Sequence, residues 1–285
     1  MTQNIIPKVL VEFYKFWHGV LHLKGAGVIL RKASHLFPAL RSYLLEVPGA
    51  GMIPVDFRDV SGFFWINHLL GENCHEQGMI TFLKRIADEF HKPLCIWDVG
   101  ANAGYFAAAI LDSVPRLSAL HLFEPNPALH PMLEAIALRH ANVRVHAVGL
   151  SNQSGTTTFS HPAGNSTLAK GREANDMEMF HAEVITGDAF AVRHPSVVPD
   201  MIIIDVEGFE IEVLSGMEKL IHESYPVVIV EHIFAHPATF DHCFPEGYRR
   251  FTIDDDTGAL IDGYDINAGH NSVYLPKWFF NDTTL

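Results

Sequence analysis

Four apolar residues in a row, Met201–Ile204, run straight into Asp205, and four carboxylates (Asp205, Glu207, Glu210, Glu212) fall within eight positions. An all-apolar run of this kind suits a strand buried on both faces, where an unpaired charge is costly. The acid therefore marks a strand end, and in open α/β sheets ligands bind at the C-terminal ends of the strands. The same strand-then-helix rhythm recurs along the chain. Strands are predicted at Leu94–Val99, Ala119–Phe123, Val143–Val148, Met201–Val206, Val227–Glu231, Tyr248–Ile253 and Val273–Leu275. Helices are predicted at Met79–Phe90, Tyr105–Leu111, Ala128–Arg139, Asp188–Val192 and Phe209–Leu220. Such alternation specifies an α/β fold with a parallel, doubly wound sheet. Turns at Asp254–Gly258 and Gly263 predict an antiparallel hairpin at one edge.

The 285 residues suffice for one full core and an appendage. A formal net charge of −13 excludes the basic footprint of a nucleic-acid binder. Cys74, Cys95 and Cys243 are odd in number and widely spaced, which argues against a disulfide framework and for a reducing, cytoplasmic setting. No secretory signal is visible, and no stretch approaches the roughly 18 apolar residues of a spanning helix. Eighteen histidines form no HxH or HExxH pair, so no metal centre is expected.

Residues 1–70 read as a helical extension and lead-in to a domain over 71–285. Val9, Leu10, Phe13, Phe16, Trp17, Val20 and Leu21 recur at helical spacing, and Gly49–Gly71 suit a short hairpin. Within the first 45 residues six basic residues (Lys8, Lys15, Lys24, Arg31, Lys32, Arg41) face the single acid Glu12. The helix is expected either to dock on the domain or on a second copy of the chain, or to touch an anionic membrane or lipid-linked substrate.

Chemistry gathers at the strand ends. In Ile96–Phe106 (IWDVGANAGYF), Gly100 permits a tight turn and Gly104 a close approach to the helix that follows. Asn102 stands where a dinucleotide-binding GxGxxG needs its second glycine, which speaks against a nicotinamide enzyme. Asp98 suits the ammonium of an amino-acid moiety. Glu124, ending LHLFEPNP before Pro125 and Asn126, lies where an acid accepts both hydroxyls of a ribose; a surface helix cap is the alternative. Val148 and Leu150 are placed to sandwich an adenine ring, with room at Gly149. Asp205 and Glu207 would share one side if the strand persists past Ile204, whereas Glu210 and Glu212 suit a solvated first helical turn. Glu231 and His232 end the neighbouring strand. His232 or Asp205 is a candidate base and Glu207 a substrate-positioning acid; a cation held by Asp205, Glu207 and Glu231 or His232 is the alternative.

DVGANAGYF, FEPNP, AVGLS, GNSTL, IDVEGFEIEVLSGM, VVIVEH and HNSVYLP, in this order from about Gly71 to Pro276, resemble the FkbM-type S-adenosylmethionine-dependent methyltransferases. The resemblance implies a class I, Rossmann-like, seven-stranded sheet with helices on both faces and its last strand antiparallel. It implies O-methylation of a sugar, glycan or natural-product hydroxyl, with S-adenosyl-L-methionine as donor. It places Asp98, Gly100, Asn102, Gly104, Glu124 and Gly149 around the donor, and Asp205 and Glu207 at the reacting centre. With the strand-end readings, the expected donor site comprises these residues plus Tyr105, Pro125, Asn126, Val148 and Leu150. One departure stands out: where relatives commonly carry lysine two residues before the DVEG aspartate, this chain has Ile203. A silent member that binds or scaffolds without transfer is the alternative function. The acceptor is not legible, although His161, Asn165, Arg172, His181, His236 and His242 lie in loops able to meet a polyol.

Overall fold

The computed structural model describes residues 5–16, 26–36, 43–47, 51–55, 77–162, 177–233 and 235–282. The chain divides into two compact units, Met1–Cys74 with Thr158–Phe180, and His75–Thr157 with His181–Leu285. The first boundary lies near residue 70, but the smaller unit also takes a segment from mid-chain that no sequence signal marked.

The smaller unit holds helices α1 (Ile5–Tyr14) and α2 (Ala26–Leu36), which pack on each other, and strands β1 (Tyr43–Val47) and β2 (Gly51–Val55). These strands pair as an antiparallel hairpin from Tyr43↔Val55 to Val47↔Gly51, so the hairpin begins earlier than Gly49. Trp17, Val20 and Leu21 of the expected helix lie outside the described residues, as does the lead-in from 56 to 76.

The larger unit is built in chain order from α3 (Gln77–Glu89), β3 (Leu94–Val99), α4 (Tyr105–Ser113), β4 (Leu117–Phe123), α5 (His130–Ala137), β5 (Val143–His146) and β6 (Gly149–Leu150). Strands β7 (Gly155–Pro162) and β8 (Met177–Ile185) carry the chain into the smaller unit and back. Then follow α6 (Gly187–Arg193), β9 (Met201–Ile204), α7 (Glu210–Ser215), α8 (Glu218–Ser224), β10 (Val227–Glu231), β11 (Tyr248–Ile253), β12 (Leu260–Asp262), β13 (Asn271–Pro276) and α9 (Lys277–Asp282).

The main sheet runs β12-β11-β13-β10-β9-β3-β4-β5. Strands β5, β4, β3, β9 and β10 pair in parallel, and β13 enters antiparallel between β10 and β11. This is the class I methyltransferase arrangement, with eight strands among the described residues instead of seven. The extra one, β12, pairs Phe251↔Asp262 and completes the edge hairpin; at three residues it is too short to show a period in sequence.

Burial explains the apolar runs. Every residue of β3 and β9 is buried, as are the first four of β10. Trp97, Val99, Phe123, Ile202, Ile204, Val228 and Val230 form one packed layer with Phe190 of α6, Val213 and Leu214 of α7, and Leu220 and Ile221 of α8. Each such side chain contributes roughly 1.5–3 kcal/mol of burial free energy.

Several predicted elements end early. Strand β5 stops at His146 because the Val148 N–H turns back to the His146 carbonyl at 2.8 Å. Strand β9 stops at Ile204, two residues short of Val206. The predicted helix Phe209–Leu220 breaks into α7 and α8 at Gly216, where a Cβ would lie 1.9 Å from the Ser151 carbonyl oxygen. Asp188 then accepts from the Leu220 N–H at 2.8 Å and starts α8.

Candidate active site

The chain leaves β3 toward β4 on one side, and β9 joins β3 on the other. A crevice opens at the C-terminal tips of strands that diverge in this way, and ligands bind in it. Asp98 on β3 lies in register with Ile203 on β9. Asp98 is 1 % exposed, and neither carboxylate oxygen has a hydrogen-bond partner. Burial, then the charges of Asp205 and Glu124, push its pKa up to about 8. A buried acid without a donor is costly, and such a group asks for an explanation. Ile203 deepens the cost: the residue in register with Asp98 is apolar and offers it no counter-charge.

The turn after β3 is fixed by backbone geometry. Gly100 has φ +88°, and a Cβ there would meet the Asp205 carbonyl oxygen at 1.9 Å, so the tips of β3 and β9 touch only through glycine. Gly104 has φ +87°, and its Cβ would meet Ile136 Cδ1 at 2.6 Å; the element it admits is helix α5. Asn102, between them, tolerates φ +48°.

That turn holds Glu124. Its Oε2 accepts from the Asn102 N–H at 2.9 Å and its Oε1 from the Asn126 N–H at 2.7 Å. Each oxygen keeps acceptor capacity for a hydroxyl. Glu124 is 6 % exposed, which removes the surface-cap alternative; burial, opposed by the two N–H bonds, brings its pKa to about 7. The Asn126 side chain is spent locally, with Oδ1 accepting from the Ala128 N–H at 3.0 Å, so its contribution is a backbone donor to Glu124. Pro125 is half-buried, and Tyr105 is buried at the start of α4. Val148 is half-buried beside Gly149, which pairs with Val184. Leu150 is buried in the core cluster with Phe123 and Phe190, and Val148 borders the same cluster.

The DVEG segment adds four more acids. Because β9 ends at Ile204, Asp205 and Glu207 do not share one strand face as expected. Asp205 is half-buried and donates its N–H to the Val99 carbonyl at 3.0 Å. Its carboxyl shares a hydrogen bond with Glu231 at the tip of β10; burial pushes both upward, and Glu231, raised further by the Asp205 charge, holds the proton between them. Glu207 adopts φ +54°, a left-handed conformation uncommon for a side-chain-bearing residue and concentrated at functional sites. Its surface is exposed, yet partial burial of the carboxyl and the charges of Asp205, Glu210 and Glu124 bring its pKa to about 7. Glu210, expected to be solvated, is 2 % exposed, and its Oε1 accepts from the Gly208 N–H at 2.8 Å. It braces the turn that presents Glu207. Glu231 and Glu210 are the site acids that sequence undervalued; the signal for Glu231 was its position at a strand tip.

His232 is a correction. It is 2 % exposed, with Nε2 3.0 Å from the Gly269 carbonyl oxygen and Nδ1 3.0 Å from Ser272 Oγ. Both ring nitrogens are engaged, and burial lowers the pKa to about 4. Neither nitrogen is left to take a proton from an acceptor, nor to bind a cation with Asp205. Replacing His232 with Ala is expected to cost about 2 kcal/mol of stability through two lost buried hydrogen bonds, read as a lower Tm. The pH profile of turnover should keep its shape, and loss of its ascending limb would restore the base role.

Among the loop candidates for the acceptor, Asn165 and Arg172 lie outside the described residues. His236 caps the turn after it, its Nδ1 accepting from the Ala238 N–H at 3.2 Å. Ligand atoms close enough to share a metal occur away from the strand tips, at Glu218, His242 and Cys243.

Comparison with known families matches residues 98–249 to the methyltransferase FkbM domain, from Asp98 through Arg249. The chain belongs to the FkbM methyltransferase family. Every acid of the crevice falls within the matched stretch. The hexuronic acid methyltransferase AglP of Haloferax volcanii is 33% identical over 159 residues, 55% of this chain and 62% of that protein. The chain thus matches less than two thirds of that relative's length. Among solved structures, the methyltransferase FkbM from Methylobacillus flagellatus KT superposes with TM-score 0.44 at 15% identity, covering 64% of this chain and 43% of the other. The N-methyltransferase NodS from Bradyrhizobium japonicum WM9 superposes with TM-score 0.39 at 13% identity, covering 71% and 95%.

FkbM methyltransferases use S-adenosylmethionine, and the crevice of this family member fits it. Asp98 is a buried, unpartnered carboxyl that an ammonium would draw into its ionised form, and Glu124 has two oxygens with free acceptor capacity for vicinal hydroxyls. The surplus of negative charge matches a ligand that brings two cationic groups.

Proposed function

We propose that this FkbM methyltransferase methylates a hydroxyl oxygen of a sugar or glycan, or of a sugar-like natural product. The observation that carries the reading is Glu207: a carboxyl with pKa about 7, exposed at the crevice and held in a left-handed turn beside the buried Asp98–Glu124 pair. A general base is most effective when its pKa lies near the working pH, and a hydroxyl acceptor needs one as it attacks. Similarity to a hexuronic acid methyltransferase supports a sugar as the acceptor class. The acid-rich crevice and the net charge of −13 give no preference for an anionic sugar over a neutral one.

S-Adenosylmethionine, when bound, supplies a methyl group already activated on a sulfonium. Asp98 holds the amino-acid end and Glu124 the ribose. Glu207 accepts the proton of the acceptor hydroxyl. Asp205 stays ionised because Glu231 carries the shared proton, and so fixes the acceptor by accepting from a second hydroxyl. The protein's further task is alignment, which by itself can account for several kcal/mol of barrier lowering.

The test is mass spectrometry of neutral and uronic-acid-bearing oligosaccharides incubated with the protein and an isotopically labelled methyl donor. The expected product carries the label as an ether on a ring hydroxyl. Label on nitrogen, on carbon or on a carboxylate ester would overturn O-methylation of a hydroxyl. Donor binding without any labelled product across the panel and a cell extract would favour a silent binding protein.

A further inference from the structure

The methyltransferase chemistry makes no use of the two N-terminal helices, although their surfaces are unusual. Helix α1 buries Val11 and Tyr14 to 0% and 3% exposure, yet leaves Val9 60% and Phe13 38% exposed, one helical turn apart. Phe16, in the wider turn that continues α1, is 54% exposed. Helix α2 repeats the pattern: Leu30 and Ser34 are buried, while Ile29 and Leu36 are 48% and 77% exposed, and Lys32 is exposed between them. A soluble helix hides its apolar stripe and turns a polar one outward. Here each helix has a buried side and, in addition, an apolar side that meets solvent.

Charge separates in the same segment. Residues 1–41 hold six Lys or Arg and one acid, within a chain of formal net charge −13. Glu12 itself is paired with Lys15 at 3.1 Å, so that acid is already neutralised locally. Exposed aliphatic and aromatic side chains in a segment rich in lysine and arginine are the makeup of helices that lie in the headgroup layer of an anionic bilayer. Among the described residues no helix is long and apolar enough to cross a membrane, so the contact would be peripheral. We propose that α1 and α2 form a peripheral docking surface for a membrane bearing anionic lipids, with Val9, Phe16, Ile29 and Leu36 entering the interface and the flanking lysines and arginines meeting the headgroups.

The experiment is co-sedimentation of the full chain with phosphatidylcholine vesicles and with vesicles that also contain phosphatidylglycerol. Binding to the anionic vesicles alone, weakened by salt, is the expected result. The double variant Phe16→Ser with Leu36→Ser should bind them at least about tenfold more weakly. Its donor affinity and Tm should stay near those of the parent, since both side chains are largely exposed. Equal binding by parent and variant, or no binding to either vesicle, overturns the proposal. A parent that is dimeric by light scattering and a variant that is monomeric would overturn it in favour of a second copy.

Discussion

Asp98→Asn is expected to weaken S-adenosylmethionine binding by about 100-fold or more and, at the same time, to make the ligand-free protein more stable. The two effects share a cause. In the folded chain burial raises the Asp98 pKa to about 8 from its ordinary 3.8. Between those values the folded state holds a proton that the unfolded state has released, so stability falls as pH rises across that window. Asparagine removes this penalty, and the expected gain is several kcal/mol near pH 8, at about 1.4 kcal/mol per pKa unit, shrinking toward pH 4. Thermal unfolding of both proteins across this range measures it. Binding shows the complementary sign. A cationic ligand favours the ionised acid, so donor affinity should rise with pH up to about 8 and binding should release a proton. Calorimetry in buffers of different ionisation enthalpy detects that proton. Unchanged affinity in the Asn variant, or no proton release, would place the cationic end of the donor elsewhere.

Glu207→Gln should lower kcat by about 10² to 10³ while leaving donor affinity within several-fold. A base must be ionised to act, and the Glu207 pKa lies near 7. Turnover of the parent enzyme should therefore climb as pH rises through about 7 and then level off. The Gln variant should lose that climb along with its rate. If the variant keeps the ascending limb, the base is another group, and Asp205, kept ionised by its protonated neighbour Glu231, is the next to replace. A variant that loses donor affinity instead would show Glu207 to be part of the donor site.

The strands β3, β9 and β10 were legible because burial on both faces demands nearly unbroken apolar runs, and Asp98, Glu124, Asp205 and Glu231 because each interrupts an apolar run at its end. The ends of elements were less legible. Whether β9 continues to Val206 depends on a turn that admits Glu207 at φ +54°, which no residue pattern announces. Helix α7 stops at Ser215 because Gly216 lies against the Ser151 carbonyl, a contact between segments more than 60 residues apart. Histidine misled because a side chain's type does not say which way it points. His232 looked like a base at a strand tip, but Gly269 and Ser272 from the closing strand region consume both its nitrogens.

By itself the sequence determined the sheet, its parallel sense, the glycine turn after β3 and the acids that fringe it, because periodicity and the cost of burying charge act along the chain. Only the tertiary structure decided which acids lose their partners. Asp98 is stranded because β9 brings Ile203 beside it, and Asp205 shares a proton because β10 brings Glu231. A carboxyl's proton affinity is set by its neighbours in space, and those neighbours come from strands more than 20 residues away in the chain.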